Sequence, residues 1–508
     1  MENLLHIIQG DSIVKSLAPV ALMLIFILVL GCGIGAYLVK SPLKITALIM
    51  LLCMLVLIFF KIEIGLLVLL ALNPLNFLVT NLYRTFLPII SSGIWNDLLI
   101  VFLVGALIWN KIVTQKRFAH IKLNTVIIIY LIYLFSLTLL RPGPGGIKYE
   151  ILAYRNFLEP VLVYFLVINI IKRKEKIELY ILFLLIGGLI LALEAVNEIY
   201  TYFPQIIDFF ISPEQIAHYN IGYRASAGYD SNDLAYYLDF LISISFGFLI
   251  FIPSKRKYFL LSYILLLFFA VLLTGSRGGL AALMLSIMTF IFVPNFIPKF
   301  SLSVNRIIMI TIAIVAIFLC FNILSKTTGR TYARITSIST DSSFHDRIQV
   351  ISRYATKIVP ESPLVGFGLS SVGNVKQTSV LSEEHRRGAT NIYGAIYGEV
   401  THNDFLRIAV QSGFIGLALY LYIMGTFIKM SFDLYKTFDR GYYKGLALGI
   451  IGFYVVFIMG SMTQNVSENQ ILGFFFWFIG GIIVVLHNEL KRRNSGQVSH
   501  ILVHSSSQ

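Results

Sequence analysis

The sequence predicts an all-α protein, a polytopic transmembrane helical bundle of 12–14 spans with one large, partly helical outer (periplasmic) loop. Of its 508 residues, 57% are hydrophobic and only 13% are charged, and the mean hydropathy is +0.81. Soluble domains carry about 25% charged residues, so this chain must place most of its surface in lipid. A spanning helix needs roughly 20 apolar residues, and such runs recur along nearly the whole chain.

Fourteen apolar runs are candidates for these spans. The second and third runs are separated only by Lys61-Ile62-Glu63, so a half-helix or a re-entrant segment there would lower the total. The runs lie at residues 16–39, 43–60, 62–80, 94–110, 121–140, 156–171, 177–199, 230–252, 258–274, 279–297, 307–324, 405–428, 445–463 and 470–488.

The basic residues indicate the orientation of the bundle. The net charge is +14, but the lysines and arginines lie in short connectors between apolar runs, which is the pattern of cytoplasmic loops and not of a nucleic-acid-binding surface. These connectors alternate along the chain, and both termini then lie on the cytoplasmic side. Lys40 and Lys44 fall on the outer side and violate the rule. The basic connectors lie within 111–122, 172–176, 255–257, 429–444 and 491–493.

The outer side receives the longer connectors 141–155, 200–229 and 325–404. Polar loops as long as the last one are usually functional in a compact protein. Residues 344–351 within it have helical spacing, so we expect a small helical cap on the outer surface. The predicted organisation is 1–229 for N-terminal transmembrane helices, 230–488 for a second membrane region that carries the candidate site, and 489–508 for a cytoplasmic tail.

The first candidate site residue is Arg277, in the Thr-Gly-Ser-Arg-Gly-Gly segment at 274–279 between two apolar runs. Glycines permit a tight helical hairpin and an arginine can extend to the interface, so a turn alone would explain the segment. The functional alternative is that Arg277 binds a phosphate at the membrane face, because its planar guanidinium matches phosphate oxygens in a bidentate way.

The second candidate is His402, in Thr401-His402-Asn403-Asp404 at the beginning of the run 405–428. Thr, Asn and Asp are good helix N-cap residues, and capping alone would explain them. A histidine is not needed for capping. An imidazole at the water–lipid boundary is suited to take a proton from a hydroxyl group.

Arg347 is the third candidate, on the helix expected within the outer loop. Arg353 and Lys357 follow on the same helix, so a solvated basic face is the alternative explanation. Residues 360–368 then form a proline-bounded turn and not a nucleotide-binding glycine loop, because no parallel strand precedes them.

Polar residues inside the spans form a fourth group. Asn232 and Asp239 are seven residues apart and share one helix face, and Glu194 and Glu198, four apart, share another. Ionisable groups at such depth are costly and are usually functional or paired. Contacts between helices are therefore the alternative explanation for all four.

Taken in order, these motifs resemble the O-antigen ligase and O-antigen polymerase superfamily. The resemblance covers residues 220–425, and the N-terminal half matches only in its pattern of spans. It rests on Asn-Asp-Leu-Ala at 232–235, Thr-Gly-Ser-Arg-Gly-Gly at 274–279, Arg347, Pro-x-x-Gly-x-Gly at 363–368, and His-Asn-Asp-Phe-Leu at 402–406 followed by Gly413-x-x-Gly416.

The resemblance implies a glycosyltransferase of the bacterial inner membrane with its active site on the outer face. Its donor would be a glycan on undecaprenyl diphosphate, and its acceptor another glycan or lipid A-core. Membrane lipids and a chain-length regulator are further expected partners. The anomeric centre would be inverted without a metal ion or another cofactor.

The resemblance also implies roles for single residues. Arg277 and Arg347 would neutralise the diphosphate leaving group, and His402 would act as general base on the acceptor hydroxyl. Fixed cations aimed at a departing diphosphate are what such a reaction needs in place of a metal. The secondary site candidates are Asn232, Asp239, Asn403 and Arg155.

Three functional alternatives stay open within this frame. A polysaccharide polymerase is slightly preferred over a ligase, because the chain is long and His385-Arg386-Arg387 enlarge the outer loop. A flippase for the same lipid-linked glycan would use charges within spans, but the candidates collect on one side and no inverted repeat is visible. A purely structural scaffold would not explain why Arg277, Arg347 and His402 lie on the same face.

Overall fold

The chain folds into helices throughout the part that the computed structural model describes: residues 59, 61–75, 94–142, 146–202, 224–252, 255–296, 342–372, 401–439, 441–469 and 471–494. These residues form helices and turns and contain no strand, so the predicted all-α class is confirmed. The helices are α1 Ile62–Leu72, α2 Ile94–Val113, α3 Lys122–Leu140, α4 Ile147–Ile170, α5 Lys174–Tyr202, α6 Ser231–Phe251, α7 Lys255–Thr274, α8 Arg277–Phe296, α9 Ser342–Arg353, α10 Asp404–Thr437, α11 Tyr442–Thr463 and α12 Leu472–Asn494.

Nine helices in the described part are long and apolar enough to cross a membrane: α2 to α7 and α10 to α12. Two further apolar helical segments are shorter: α1, and the part of α8 from Arg277 to Val293. The protein is therefore a multi-pass membrane protein. The runs 16–39 and 307–324, and the run 43–60 apart from Phe59, lie outside the described residues, so the total of 12–14 spans stays a prediction.

The chain divides into two compact units. One comprises Met1–Ala119 and Asn169–Lys172, and its described helices are α1 and α2. The other comprises His120–Ile168 and Arg173–Gln508, and it contains α3, most of α4, and α5 to α12. Every candidate site residue belongs to this second unit.

Helix α6 forms the core of the second unit, since every residue from Leu234 to Ile250 is buried. It packs along α11 through glycines on both helices. A Cβ added at Gly449 would lie 2.7 Å from the Cα of Ile244, and one added at Gly445 would lie 2.7 Å from the carbonyl oxygen of Gly247. Small residues let transmembrane helices approach this closely, so the backbones of α6 and α11 meet almost directly.

Helix α10 is broken at Gly413, whose φ of +65° and ψ of −174° lie outside the helical region. The backbone groups freed by the break pair with the segment 363–368, which belongs to the predicted outer loop. Phe367 N donates to Val410 O (2.9 Å), Gly368 N to Gln411 O (3.1 Å), Phe414 N to Pro363 O (2.7 Å) and Ile415 N to Leu364 O (3.3 Å). Irregular backbone at membrane depth is tolerated where the protein itself satisfies it, as here.

Residues from separate helix termini meet at one end of this unit, which we call the site end: the starts of α4, α6, α8, α10 and α12 and the ends of α3, α5, α7 and α11. At the opposite end, Tyr443 OH donates to Glu178 Oε1 (3.2 Å) and Lys174 Nζ lies 5.2 Å from the Tyr443 ring centroid. The basic connectors 172–176 and 429–444 thus share one end, as their alternation predicts. Which end faces the cytoplasm stays a prediction.

Helix α9 confirms the helix expected at 344–351, and it continues through a π turn at Tyr354–Ile358 and a 3-10 turn at Val359–Glu361. The predicted connector 141–155 differs, because α4 already begins at Ile147. Its polar first turns are stable there since Glu150 is fully buried and accepts hydrogen bonds from Leu369 N (2.8 Å) and Ser370 N (3.0 Å). Hydropathy alone does not predict that a carboxylate such as Glu150 is paired inside the protein.

Candidate active site

The turn between α7 and α8 holds Arg277 at the start of a helix, where the sequence predicts a tight hairpin. Gly275 has a φ of +59°, which favours glycine, and Gly279 N donates to the Ser276 hydroxyl (3.2 Å) as a helix cap. Arg277 is the first residue of α8 and is partly exposed. A helix N-terminus carries partial positive charge and unpaired N–H groups, so this turn favours an anion.

Asn232 joins this turn to α6. Its Oδ1 accepts from the Ser276 hydroxyl (3.0 Å) and from Arg224 Nη2 (2.7 Å). Arg224 Nε also donates to Thr274 O (2.6 Å), so the guanidinium bridges α6 and the end of α7. Asn232 therefore has a specific role in holding the turn, and Arg224 is a residue that the sequence analysis missed.

A pair of hydroxyls lies beside the turn. The Tyr236 hydroxyl of α6 is hydrogen-bonded to the Thr463 hydroxyl at the end of α11. Gly278 packs against both, because a Cβ there would overlap the Tyr236 hydroxyl and lie 3.4 Å from Thr463 Oγ1. The backbone next to Arg277 is thus fixed against α6 and α11. No motif in the sequence marks Tyr236 or Thr463.

His402 has an unusual backbone and a half-buried ring. Its φ is +50°, a left-handed conformation that non-glycine residues adopt rarely and often at functional positions. Within the described residues its Nδ1 is buried and makes no hydrogen bond. Asn403 caps α10 by accepting from Leu406 N (2.9 Å), so capping is done by the neighbour and does not require the histidine.

Two charges and one amide surround the His402 ring. Burial lowers the pKa of His402 below its ordinary value, and the nearby Arg347 guanidinium lowers it further. Hydrogen bonding with the Gln464 side chain and the negative charge of Asp230 oppose these effects, without reversing them. The ring is therefore uncharged near neutral pH and able to accept a proton.

Arg347 of α9 lies near enough to His402 for its charge to lower the pKa of the His402 ring. It is partly buried, and its charge acts on both the His402 ring and the Tyr236 hydroxyl. Since Tyr236 contacts Gly278, the backbone that carries Arg277 borders the same group of residues. A cation, a proton acceptor and a helix N-terminus thus lie together at the site end.

The structure places the secondary candidates in different surroundings. Asn232 and Asn403 lie in this group, as structural contacts of the turn and of α10. Asp239 is fully buried on the α6 face that meets α8, and neither carboxylate oxygen has a hydrogen-bond partner among the described residues. Arg155 lies half-buried on α4. Glu198 is a structural contact, because it accepts from Ser226 N, Ser226 Oγ and Ala227 N at 2.7–2.9 Å.

A buried ion network lies one turn below His402 and was also missed by the sequence analysis. Arg407 of α10 is fully buried between Asp404 and Glu468. Across the described ranges, no three His, Cys, Asp or Glu residues are grouped closely enough to hold a metal ion. The chemistry available to the described residues is proton acceptance by His402 next to fixed positive charge.

Comparison with known proteins identifies the region that carries this group. Residues 262–421 match the family model described as O-antigen ligase, about a third of the chain, and they include Arg277, Arg347 and His402. No curated protein matches the chain. The family suggests glycan transfer of the ligase or polymerase type. The match supports the resemblance to the O-antigen ligase-like superfamily that the motifs of the sequence predict.

Proposed function

We propose that the protein transfers a glycan from an undecaprenyl diphosphate carrier to an acceptor hydroxyl on the outer face of the bacterial inner membrane. The observation that carries the proposal is the half-buried His402 ring, whose buried Nδ1 has no hydrogen-bond partner among the described residues. Burial and the charge of Arg347 both lower the pKa of this ring. A general base must be unprotonated at the working pH, and a diphosphate leaving group needs fixed cations aimed at it.

In this mechanism His402 takes the proton of the acceptor hydroxyl as its oxygen attacks the anomeric carbon of the donor sugar. The bond from that carbon to the diphosphate breaks, and the carrier diphosphate leaves with the electron pair. Arg347 and Arg277 balance the charge that develops on its oxygens. The protonated imidazole then releases its proton to water, which restores the base.

The charge of Arg347 couples proton transfer to His402 with the departure of the diphosphate. Burial and, secondly, the positive charge of Arg347 favour the uncharged form of the His402 ring while no anion is present. When the diphosphate departs, its negative charge compensates Arg347, and protonation of the ring becomes easier. Proton transfer to His402 and loss of the leaving group therefore assist each other.

The test is transfer by purified protein in vesicles that contain a carrier-linked glycan donor. We expect His402→Ala to lower the transfer rate by about 10²–10⁴-fold, the usual contribution of a general base. Arg277→Lys should lose most activity, because a point charge cannot make bidentate contacts to a diphosphate. Lys357→Gln is the control, since Lys357 is exposed and lies beyond α9. Normal transfer by His402→Ala at normal expression would exclude the mechanism.

The acceptor decides between polymerase and ligase, and we propose the polymerase. Analysis of surface glycan in a strain without the gene separates the two. Single repeats on lipid A-core in that strain identify a polymerase. Full-length chains that accumulate on the carrier lipid identify a ligase and overturn this choice.

A further inference from the structure

Arg407 is among the largest fully buried side chains of the described residues, and it is permanently charged. A buried arginine is costly unless its N–H groups are paired, and here they are. Its guanidinium donates to Asp404 Oδ1 through Nε (3.1 Å) and Nη2 (2.5 Å), to Gln411 Oε1 (2.8 Å) and to Ser467 Oγ (2.6 Å). Nη1 is also 2.5 Å from Glu468 Oε1.

These contacts join two separate segments. Asp404 and Gln411 lie on the first turns of α10, whereas Ser467 and Glu468 lie in the loop that follows α11, residues 464–469. Asp404 also accepts from Ser467 N (3.0 Å) and Ser467 Oγ (3.0 Å). The beginning of α10 and the loop 464–469 therefore form one rigid element around the Arg407 guanidinium.

Each of the two joined segments carries one residue of a contact in the candidate site, namely His402 on one segment and Gln464 on the other. His402 lies two residues before Asp404, and Gln464, whose side chain contacts the His402 ring, lies three residues before Ser467. A second bond closes the element on the other side, from Thr401 Oγ1 to Asn465 Oδ1 (3.0 Å). The distance between the ring and Gln464 is thus set by the pairing of Asp404 with Ser467.

The same loop is tied to α6, which carries the turn contacts of the site. Asn469 Nδ2 donates to Asp233 Oδ2 (2.5 Å), one residue after Asn232. Gln411 Nε2 donates to Leu369 O (2.6 Å) in the segment that follows α9. The network therefore lies where α6, α10 and the continuation of the Arg347 helix are joined.

We propose that Arg407 is a positioning residue for glycan transfer, which holds the His402 ring in place by locking α10 to the loop 464–469. The inference rests on the proposed function of His402. The Arg407 side chain is fully buried, so a substrate cannot reach it without a rearrangement of the protein. Its effect must therefore pass through His402, and this requirement makes the proposal testable.

The experiment measures transfer kinetics for Arg407→Lys and Ser467→Ala in the full-length protein in vesicles. Lysine keeps the charge but cannot bridge both carboxylates and Gln411. We expect kcat to fall by about 10²-fold for Arg407→Lys, the effect of a misplacement of about 1 Å, with the donor KM unchanged. Ser467→Ala, which leaves the ion pairs intact, should lower kcat less and in the same direction.

Ser431→Ala is the matched control, because Ser431 is a buried serine of α10 whose hydroxyl bonds only to its own helix, at Phe427 O (2.8 Å). It should leave kcat unchanged. If Arg407→Lys does not fold, Ser467→Ala against Ser431→Ala decides the question alone. Equal kcat for Ser467→Ala and Ser431→Ala would overturn the proposal.

A background of His402→Ala separates a positioning role from a general structural one. Without the imidazole there is nothing to position, so Ser467→Ala and Arg407→Lys should not lower the residual rate further. A further loss of the same size in that background would show that the network acts on the fold and not on His402. Full activity of His402→Ala alone would instead refute the proposed function, independently of Arg407.

Discussion

Gly413 breaks α10 in the membrane, and its replacement by alanine tests whether that break is required by the sequence. Alanine at a φ of +65° costs about 1–2 kcal/mol. Its Cβ would also overlap the Leu364 carbonyl and the Val365 amide. If the segment 363–368 moves away, the four backbone hydrogen bonds across the break weaken, and together they contribute about 2–6 kcal/mol.

The sum sets the expected size of the effect. Loss of glycine flexibility in the unfolded chain returns about 0.4–1 kcal/mol, so Gly413→Ala should destabilise the protein by about 2–7 kcal/mol. Gly425, twelve residues later on the same helix, is the matched control, since no atom lies within 4 Å of an added Cβ there. Gly425→Ala should be stabilising by about 0.5–1 kcal/mol, as for a glycine in a helix interior.

The assay is thermal unfolding of both variants and the wild type in one detergent, followed by the loss of helical circular dichroism. Gly413→Ala should unfold at a clearly lower temperature than the wild type, and Gly425→Ala at the same or a higher one. Equal unfolding temperatures for the two variants would refute the reasoning. That result would mean that α10 can continue through position 413 without the contacts of the outer loop.

Two further predictions concern charge. Arg347→Gln removes a positive charge that lowers the pKa of His402 in the free protein, so the acid limb of the pH dependence of kcat/KM should move to higher pH; an unmoved limb would separate Arg347 from His402. Glu198→Gln weakens three charge-assisted hydrogen bonds to residues 226–227 and should lower the unfolding temperature. Glu194→Gln is the control and should not lower it, because among the described residues Glu194 accepts one long hydrogen bond, from Asn197 (3.4 Å). Equal unfolding temperatures for the two variants would contradict this prediction.

The fold class could be predicted because lipid imposes a simple rule on composition. A span must be apolar over its whole length, so runs in the sequence locate helices such as α6 and α11 to within a few residues. The bounds of α4 and α10 were harder. The polar first turns of α4 are paired inside the protein through Glu150, and the last turns of α10 extend past the apolar run with exposed lysines at 429 and 436. Hydropathy predicts neither.

The candidate site was only partly visible in the sequence. The sequence points to Arg277 and His402 because neither side chain is needed to form its local turn or helix cap. Arg224 and Arg407 do not stand out, since their importance lies in partners that are distant along the chain: Asn232 and Thr274 for one, Ser467 and Glu468 for the other. Spacing along one helix cannot reveal such contacts.

The relation between Arg347 and His402 follows from the backbone as much as from the side chains. Arg347 lies on α9, which continues without a gap into the segment 362–372. That segment is bonded to α10 on both sides of Gly413, and Tyr354, Ile358 and Val359 pack with Ala409 and Val410 of α10 in one apolar cluster.

His402 lies at the start of the same helix, within three turns of the break. A flexible arginine on a free outer loop would be a poor neighbour for a base, because its charge would reach the ring only part of the time. Here the helix that carries the cation is attached by backbone pairing to the helix that follows the base. The break in α10 is therefore the feature that lets the segment from α9 to residue 372 contribute a fixed charge to the candidate site.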